Sequence, residues 1–279
     1  MNHLVYSSAD QGRVGRIVPD LLRYRGLLRD LVSKELRARY RNAMIGFLWA
    51  VLHPLLMTLI LTFVFSVVVR FEHDGRPAAL YILSGLIFWQ FLAAGIGEAT
   101  RSLIDSQELV KKVHFPRETI PLAAILNCLV NLAIGLAVYV AVFLVLAREI
   151  PWGLAYIPLV FAIQFVLVIG VSLLTASANV HYHDVIYLTE VVLTFGFYAS
   201  PILYPLEMVQ QRLGIDSLAY RIYTLNPMVG LLTGYREALL DGHFPGLMPL
   251  LWPVACAGFF LIVGVVVFRR CSPVFADHL

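Results

Sequence analysis

The chain of 279 residues is 59% hydrophobic and 14% charged, with a mean hydropathy of +0.79 and a formal charge of +3. Water could not solvate that much apolar surface, so a soluble globular domain is excluded and an integral membrane protein is indicated. The small net charge offers no nucleic-acid surface, and the cysteines, two inside apolar runs (Cys128, Cys256) and one just beyond the last (Cys271), make neither a disulfide framework nor a metal cluster.

Residues 1–16 lack periodicity and read as a cytosolic tail. Over residues 17–42, Ile17, Leu21, Tyr24, Leu28, Leu31, Val32 and Leu36 recur at helical spacing, opposite Arg23, Asp30, Lys34, Arg37 and Arg41. A basic amphipathic helix of this kind is expected in the interfacial plane of a bilayer, with a soluble helix packed on a partner as the alternative. Six apolar segments follow, at about 43–69, 78–97, 119–147, 153–180, 185–203 and 247–268. A spanning helix needs about 20 residues, so most of these qualify and the fifth is marginal. No signal peptide is expected, because the first run is too long for an h-region.

Basic residues orient the segments. With the N-terminus inside, fifteen of the 21 lysines and arginines fall on the cytosolic side and six outside, which predicts cytosolic termini, with 271–279 as a second tail. Residues 105–121, DSQELVKKVHFPRETIP, then form a polar cytosolic break between the second and third segments. Asp105 with Glu108 reads as a capping box, which predicts a short helix over 105–113 that ends before Phe115-Pro116. Leu109, Val110 and Val113 share one face while Lys111 and Lys112 point elsewhere, so the helix is placed to be pushed from outside the membrane.

On the external side, residues 201–246 hold two mainly apolar stretches, LYPLEMVQQRL and NPMVGLLTGYREALL. Asn226 suits an N-cap and Pro227 the first helical position, followed by an apolar face of Met228, Leu231, Leu232, Tyr235 and Leu239. Both stretches are too short to span, so each reads as a re-entrant plug or gate, or as a plain amphipathic surface helix.

Four features are candidates for function. Arg37, Arg39 and Arg41 lie at headgroup depth, where guanidinium forks bind phosphate, although anchoring alone would also explain them. His53-Pro54 predicts a bend inside the first segment. Asn127, Asn131, Gly135 and Tyr139 make one polar stripe, and Gln164, Ser172, Thr175 and Asn179 another; they act as helix-to-helix glue or as the wall of a path. Glu190 is an acid within the fifth segment, functional only if it lies deep. The fourth feature, His181-Tyr182-His183-Asp184, reads as a solvated turn rather than a zinc site. Aromatics such as Trp49, Tyr204 and Tyr235 could be platforms for sugar rings or interface anchors.

The sequence holds no G-x-x-x-x-G-K-[ST] loop, nucleophile elbow or HExxH pair, so no catalytic or metal site is expected and ATP is not hydrolysed by a P-loop here. An ion-coupled secondary transporter would be expected to carry inverted repeats and paired ionisable residues at mid-membrane, whereas no repeat is visible and Glu190 stands almost alone.

Four stretches in order, Arg39-Tyr40-Arg41 with Gly46, Trp49 and Pro54, then LVKKVHFPRE (109–118), ASPILYPLEMV (199–209) and LNPM-x7-R (225–236), resemble type-2 ABC transporter permeases of the polysaccharide-export branch, which handle O-antigen, capsule and teichoic acid precursors. The resemblance runs from about Leu21 to Arg270. It implies an all-α integral membrane protein of six transmembrane helices, with an interfacial amphipathic helix, a cytosolic coupling helix and two external re-entrant helices within 204–241. It also implies a homodimer with two copies of a separate nucleotide-binding subunit that uses ATP and magnesium, this chain binding no cofactor. Gln107, Glu108, Lys111 and Lys112 would touch that subunit. The implied cargo is a glycan on an undecaprenyl-type lipid pyrophosphate, exported across the bacterial inner membrane. Arg37, Arg39 and Arg41 would meet the pyrophosphate, and Trp49, His53, Glu190, Tyr204 and Tyr235 are channel or gate candidates. His183 stands before Asp184 where relatives often carry a basic residue, and an exporter of drugs or small lipids would share the fold.

Overall fold

The computed structural model describes residues 23–40, 44–68, 77–113, 115–147 and 152–279, with backbone alone at 38–40, 44–50 and 66–68. In chain order the elements are α1 (Arg25–Tyr40), α2 (Met44–Thr62, continued by a π-helical turn Phe63–Val68), α3 (Ala78–Asp105), α4 (Gln107–Lys112) and α5 (Thr119–Leu146). A 3-10 turn Trp152–Tyr156 leads into α6 (Ile157–His181), then α7 (Val185–Tyr198), α8 (Leu206–Leu213), α9 (Leu218–Thr224) and α10 (Pro227–Leu239). After α11 (Leu247–Cys271) a 3-10 turn Ser272–Val274 leads into α12 (Phe275–His278). No strand occurs among the described residues.

Four helical stretches are long and apolar enough to cross a membrane: Ala78–Asp105, Thr119–Leu146, Trp152–His181 and Leu247–His278. Two shorter apolar helices accompany them, Val51–Phe65 and Val185–Tyr198. The fold is therefore an all-helical, multi-pass membrane bundle.

Local chemistry explains most boundaries, and three differ from expectation. Pro77, extended and without an N–H, suits the position before α3. α3 then runs to Asp105 rather than stopping near 97, because nothing in EATRSLID breaks a helix. The capping box does not form: Asp105 closes α3, and Ser106 precedes α4 with no side-chain cap bond. α7 ends at Tyr198 rather than 203, since Pro201 disfavours a helical Ser200, and Asn226 Nδ2 holds Ala199 O at 3.1 Å and Ser200 Oγ at 2.8 Å. Asn226 also caps α10, its Oδ1 accepting from the Met228 N–H at 2.9 Å, with Pro227 at the first position as expected.

α3 is the axis of the bundle, packed against α2, α5, α6, α7 and α10. Beside it α6 and α11 meet backbone to backbone: a Cβ on Gly264 would stand 2.2 Å from Gly170 O. Part of the polar stripes acts as glue, whereas Asn131 and Gly135 line a cavity. Gln164 donates to Phe88 O (2.7 Å) and accepts from the Tyr235 hydroxyl (2.6 Å), Thr175 bonds Thr100 (2.7 Å), and Asn179 donates to Thr100 O (3.0 Å). Tyr139 donates to Leu239 O at 3.2 Å, and Asn127 donates to Glu35 of α1, so the amphipathic helix is docked on α5.

Buried side chains form two cores. The larger fills the bundle between α3, α5, α6 and α10. The smaller lies at the α4 end and joins Leu103, Val110, Phe115, Ile120, Leu173, Ala176, Val180, Phe268 and Phe275, with Leu27 and Leu31 of α1 packed against it. Residues 271–279, read from sequence as a tail, thus form a folded cap whose Phe275 is fully buried.

Candidate functional site

The site at the α4 end is built on six residues. Val110 is buried and Leu109 half-buried against the smaller core, whereas Val113, expected on that face, is exposed because the helix stops at Lys112 and Val113 is extended. Gln107, Glu108, Lys111 and Lys112 all face outward. Glu108 and Lys112 pair at 2.5 Å with both side chains about three-quarters exposed, a contact that contributes little to stability. The charged face of α4 is thus free to meet a partner. Beside it opens a cleft of about 660 Å³ walled by Lys34 and Glu35 of α1, Glu98 and Asp105 of α3, and Glu108 and Lys112 of α4.

The remaining candidates fall in different places. Arg37 is exposed, with Nε donating to Ser33 O at 3.1 Å. The Arg39 side chain, Arg41 and the Trp49 side chain lie outside the described residues. Glu190 is exposed and pairs with Arg101 at 3.4 Å, near the α4 end rather than deep in the bundle. His53 is half-buried and lines a largely apolar cavity of about 750 Å³ between α2, α3, α5 and α7, with Trp89, Gln90, Asn131 and Tyr198. In the 181–184 turn, His181 packs on Phe275 and His278, while Tyr182, His183 and Asp184 are exposed.

The opposite end is closed by α8, α9 and α10, three short helices where the sequence pointed to two. The whole expected face of α10 is buried: Met228, Leu231, Leu232, Tyr235 and Leu239. Tyr235 is fully buried, stacked on Phe88 with ring centroids 3.5 Å apart and bonded to Gln164. Tyr204 donates to Tyr198 O at 2.7 Å, and its own carbonyl accepts from the Tyr81 hydroxyl at 3.1 Å.

Arg236 was legible as an external charge and as the last residue of the LNPM-x7-R stretch, and in the structure it anchors this end. It is 8% exposed, its Cζ lies 3.5 Å above the Tyr81 ring, and Nη2 donates to Ile202 O at 3.0 Å. Its Nε has no hydrogen-bond partner, and no carboxylate is within ion-pair distance among the described residues. Burial lowers its pKa to about 10, which leaves it charged at neutral pH. An unpaired buried cation costs several kcal/mol, offset in part by the Tyr81 π face. One signal could have found it: Arg236 is four residues after Leu232 and three before Leu239, inside the apolar arc of α10.

A model of the ABC-2 type transporter family matches residues 27–240. The chain is 30% identical over 264 residues to the O-antigen export system permease protein of Myxococcus xanthus, covering 95% of this chain and 99% of that one. It is 27% identical over 258 residues to the O-antigen export system permease protein of Klebsiella pneumoniae, covering 91% and 95%. To the polysialic acid transport protein of Escherichia coli it is 22% identical over 242 residues, covering 86% and 91%.

Proposed function

The chain belongs to the ABC-2 type transporter family, and from that premise we infer that it is the membrane-spanning permease subunit of an ATP-driven polysaccharide exporter. It is a transport subunit, and ATP is hydrolysed by a separate ABC ATPase subunit. The observation that carries the mechanism is the geometry of α4, a two-faced helix with Val110 sunk in the core and Gln107, Glu108, Lys111 and Lys112 turned outward.

In this reading α4 is the coupling helix and its end of the bundle is cytosolic, as the distribution of lysine and arginine supports. The permease pairs as a homodimer in the bacterial inner membrane. α2 and α7 are the first and fifth of six spans; their exposed apolar faces (Leu59, Ile60, Phe63; Leu188, Val191, Phe195) meet the second copy or lipid. The cargo is a glycan on an undecaprenyl-type lipid pyrophosphate that meets Arg37, Arg39 and Arg41 at the cytosolic rim. ATP and magnesium act in the partner. α8–α10 gate the outer end, Tyr204 belongs to that gate, His53 and Trp49 stand along the path, and Glu190, paired with Arg101, stands at its cytosolic mouth.

Two measurements test this. Glu108→Lys and Lys111→Glu, made singly, are expected to lower permease-stimulated ATPase activity and export by about tenfold or more, since a like-charge contact at an interface costs several kcal/mol. Because the Glu108–Lys112 pair is exposed, neither change should unfold the chain. Full stimulation and export in both variants would refute the contact.

The second concerns the outer gate. Arg236→Leu is expected to raise the ATP-independent conductance of the reconstituted dimer on the order of tenfold, by removing a desolvated cation–π contact of about 2 kcal/mol and the bond to Ile202 O. Arg236→Lys should leak less, since it keeps the charge without the planar fork. A tight bilayer with Arg236→Leu would mean that this cation does not hold the gate.

A further inference from the structure

α4 is too short to be stable alone, so what holds it determines where a push upon it goes. The covalent route back to α3 passes through Ser106, whose N–H donates to Ser102 O at 3.1 Å and whose carbonyl accepts from the N–H groups of Leu109 and Val110. A packed route runs beside it. Val110 and Leu109 enter the smaller core, and a fully buried residue of that core, Phe275, comes from the C-terminal segment.

Phe275 meets Phe268 of α11 edge to face, with centroids 5.2 Å apart and planes at 82°, and lies 6.2 Å from the His181 ring at the end of α6. The neighbouring His278 ring is 4.7 Å from His181. One charged tie fastens this segment, and a second the end of α11, to the residues that follow α4. Arg117 donates to Ser272 O, and Arg269 Nε donates to Glu118 Oε1 at 2.8 Å with both side chains buried. Burial lowers the Arg117 pKa, while Asp277 and Glu118 pull it back up. α12 itself touches both α4 and α6.

We propose that residues 272–279 are a positioning element for energy transfer: Phe275 wedges α4 against the ends of α6 and α11, so that displacement of α4 moves that helix pair. Close-packed interiors transmit strain, and the Gly170–Gly264 contact makes α6 and α11 move together. The inference rests on the ATPase contact at α4 described above. It adds that the force leaves α4 through the C-terminal segment as well as through α3.

The test uses the full permease assembled with its ATPase subunit in proteoliposomes, reading assembly, ATP hydrolysis and export per ATP separately. Phe275→Ala empties the wedge, Phe275→Leu refills most of it, and Arg117→Gln releases the tie to Ser272 while leaving the core intact. In Phe275→Ala and Arg117→Gln, complexes are expected to form and hydrolyse ATP while export per ATP falls about tenfold, a coupling loss of ordinary size. Phe275→Leu should recover most of the loss.

Unchanged export per ATP in assembled Phe275→Ala and Arg117→Gln complexes would overturn the proposal. So would a parallel fall of thermal stability, assembly and export in both variants, which is the signature of a merely structural role. Failure of the α4 contact itself would appear in the Glu108→Lys and Lys111→Glu complexes, where the C-terminal segment is intact.

Discussion

Gly170→Leu is expected to abolish recovery of folded, monodisperse protein, and Gly170→Ala to destabilise it by about 1–3 kcal/mol, the usual cost of overpacking. A Cβ on Gly170 would stand 2.4 Å from both Leu261 N and Phe260 C, and one on Gly264 would stand 2.2 Å from Gly170 O. All three atoms are backbone of the facing helix, so no rotamer change can make room. Apolar burial drives little association between helices in lipid, and close approach at small residues is what lets α6 and α11 gain packing energy. Gly258→Ala on the same α11 is the control, because a Cβ there meets nothing within 4 Å. Size-exclusion profiles and thermal midpoints in detergent check the comparison; if Gly170→Leu matched Gly258→Ala, the helices would not touch there.

The second large effect is expected at the buried pair Glu118–Arg269. Glu118→Ala removes the carboxylate that accepts from the buried Arg269 guanidinium, and breaking a buried pair in this way costs about 3–5 kcal/mol. That is a large share of the roughly 5–15 kcal/mol of a typical domain. Arg269→Met with Glu118 retained should be similarly harmful. The double variant Glu118→Ala with Arg269→Met should recover much of the loss, because both members of the pair are then replaced together. Thermal midpoints of the four proteins give the coupling energy directly, and strict additivity would show that the two side chains do not depend on each other. The loss should be largest at the α4 end, where Phe268 and Phe275 pack beside the pair.

Features governed by nearby residues could be read in the chain itself. The apolar runs led to the long helices, since about 20 apolar residues can satisfy their backbone in lipid only as a helix. Asn226-Pro227 started α10 where expected, and the spacing of Met228, Leu231, Leu232, Tyr235 and Leu239 identified its buried face. The two-faced character of α4 was legible too, although its start was not: Asp105 and Glu108 have capping-box spacing, but α3 absorbs Asp105 because its last turns contain no breaker.

The candidate site divides along the same line. Gln107, Glu108, Lys111 and Lys112 are outward by helical periodicity alone, and that face follows from a few consecutive residues. The partner of the Tyr235 hydroxyl, Gln164, 71 residues away in sequence, was not legible there. Glu190 read from sequence as an acid near the cytosolic end of the fifth segment, and only the structure showed its partner, Arg101, 89 residues away in sequence.

By itself, then, the sequence determined the membrane class, the long apolar helices, the outward face of α4, the cap of α10 and, through its motifs, the family. All of these depend on composition, on local periodicity or on short ordered blocks. Only the tertiary structure decided that Arg236 is buried over Tyr81, that Gly170 and Gly264 meet, that Gln164, Thr175 and Asn179 tie helices together, and that Phe275 is buried in the core at the α4 end. Each of these is a contact between residues far apart in the chain, and neither member of such a pair carries a local signal of the other.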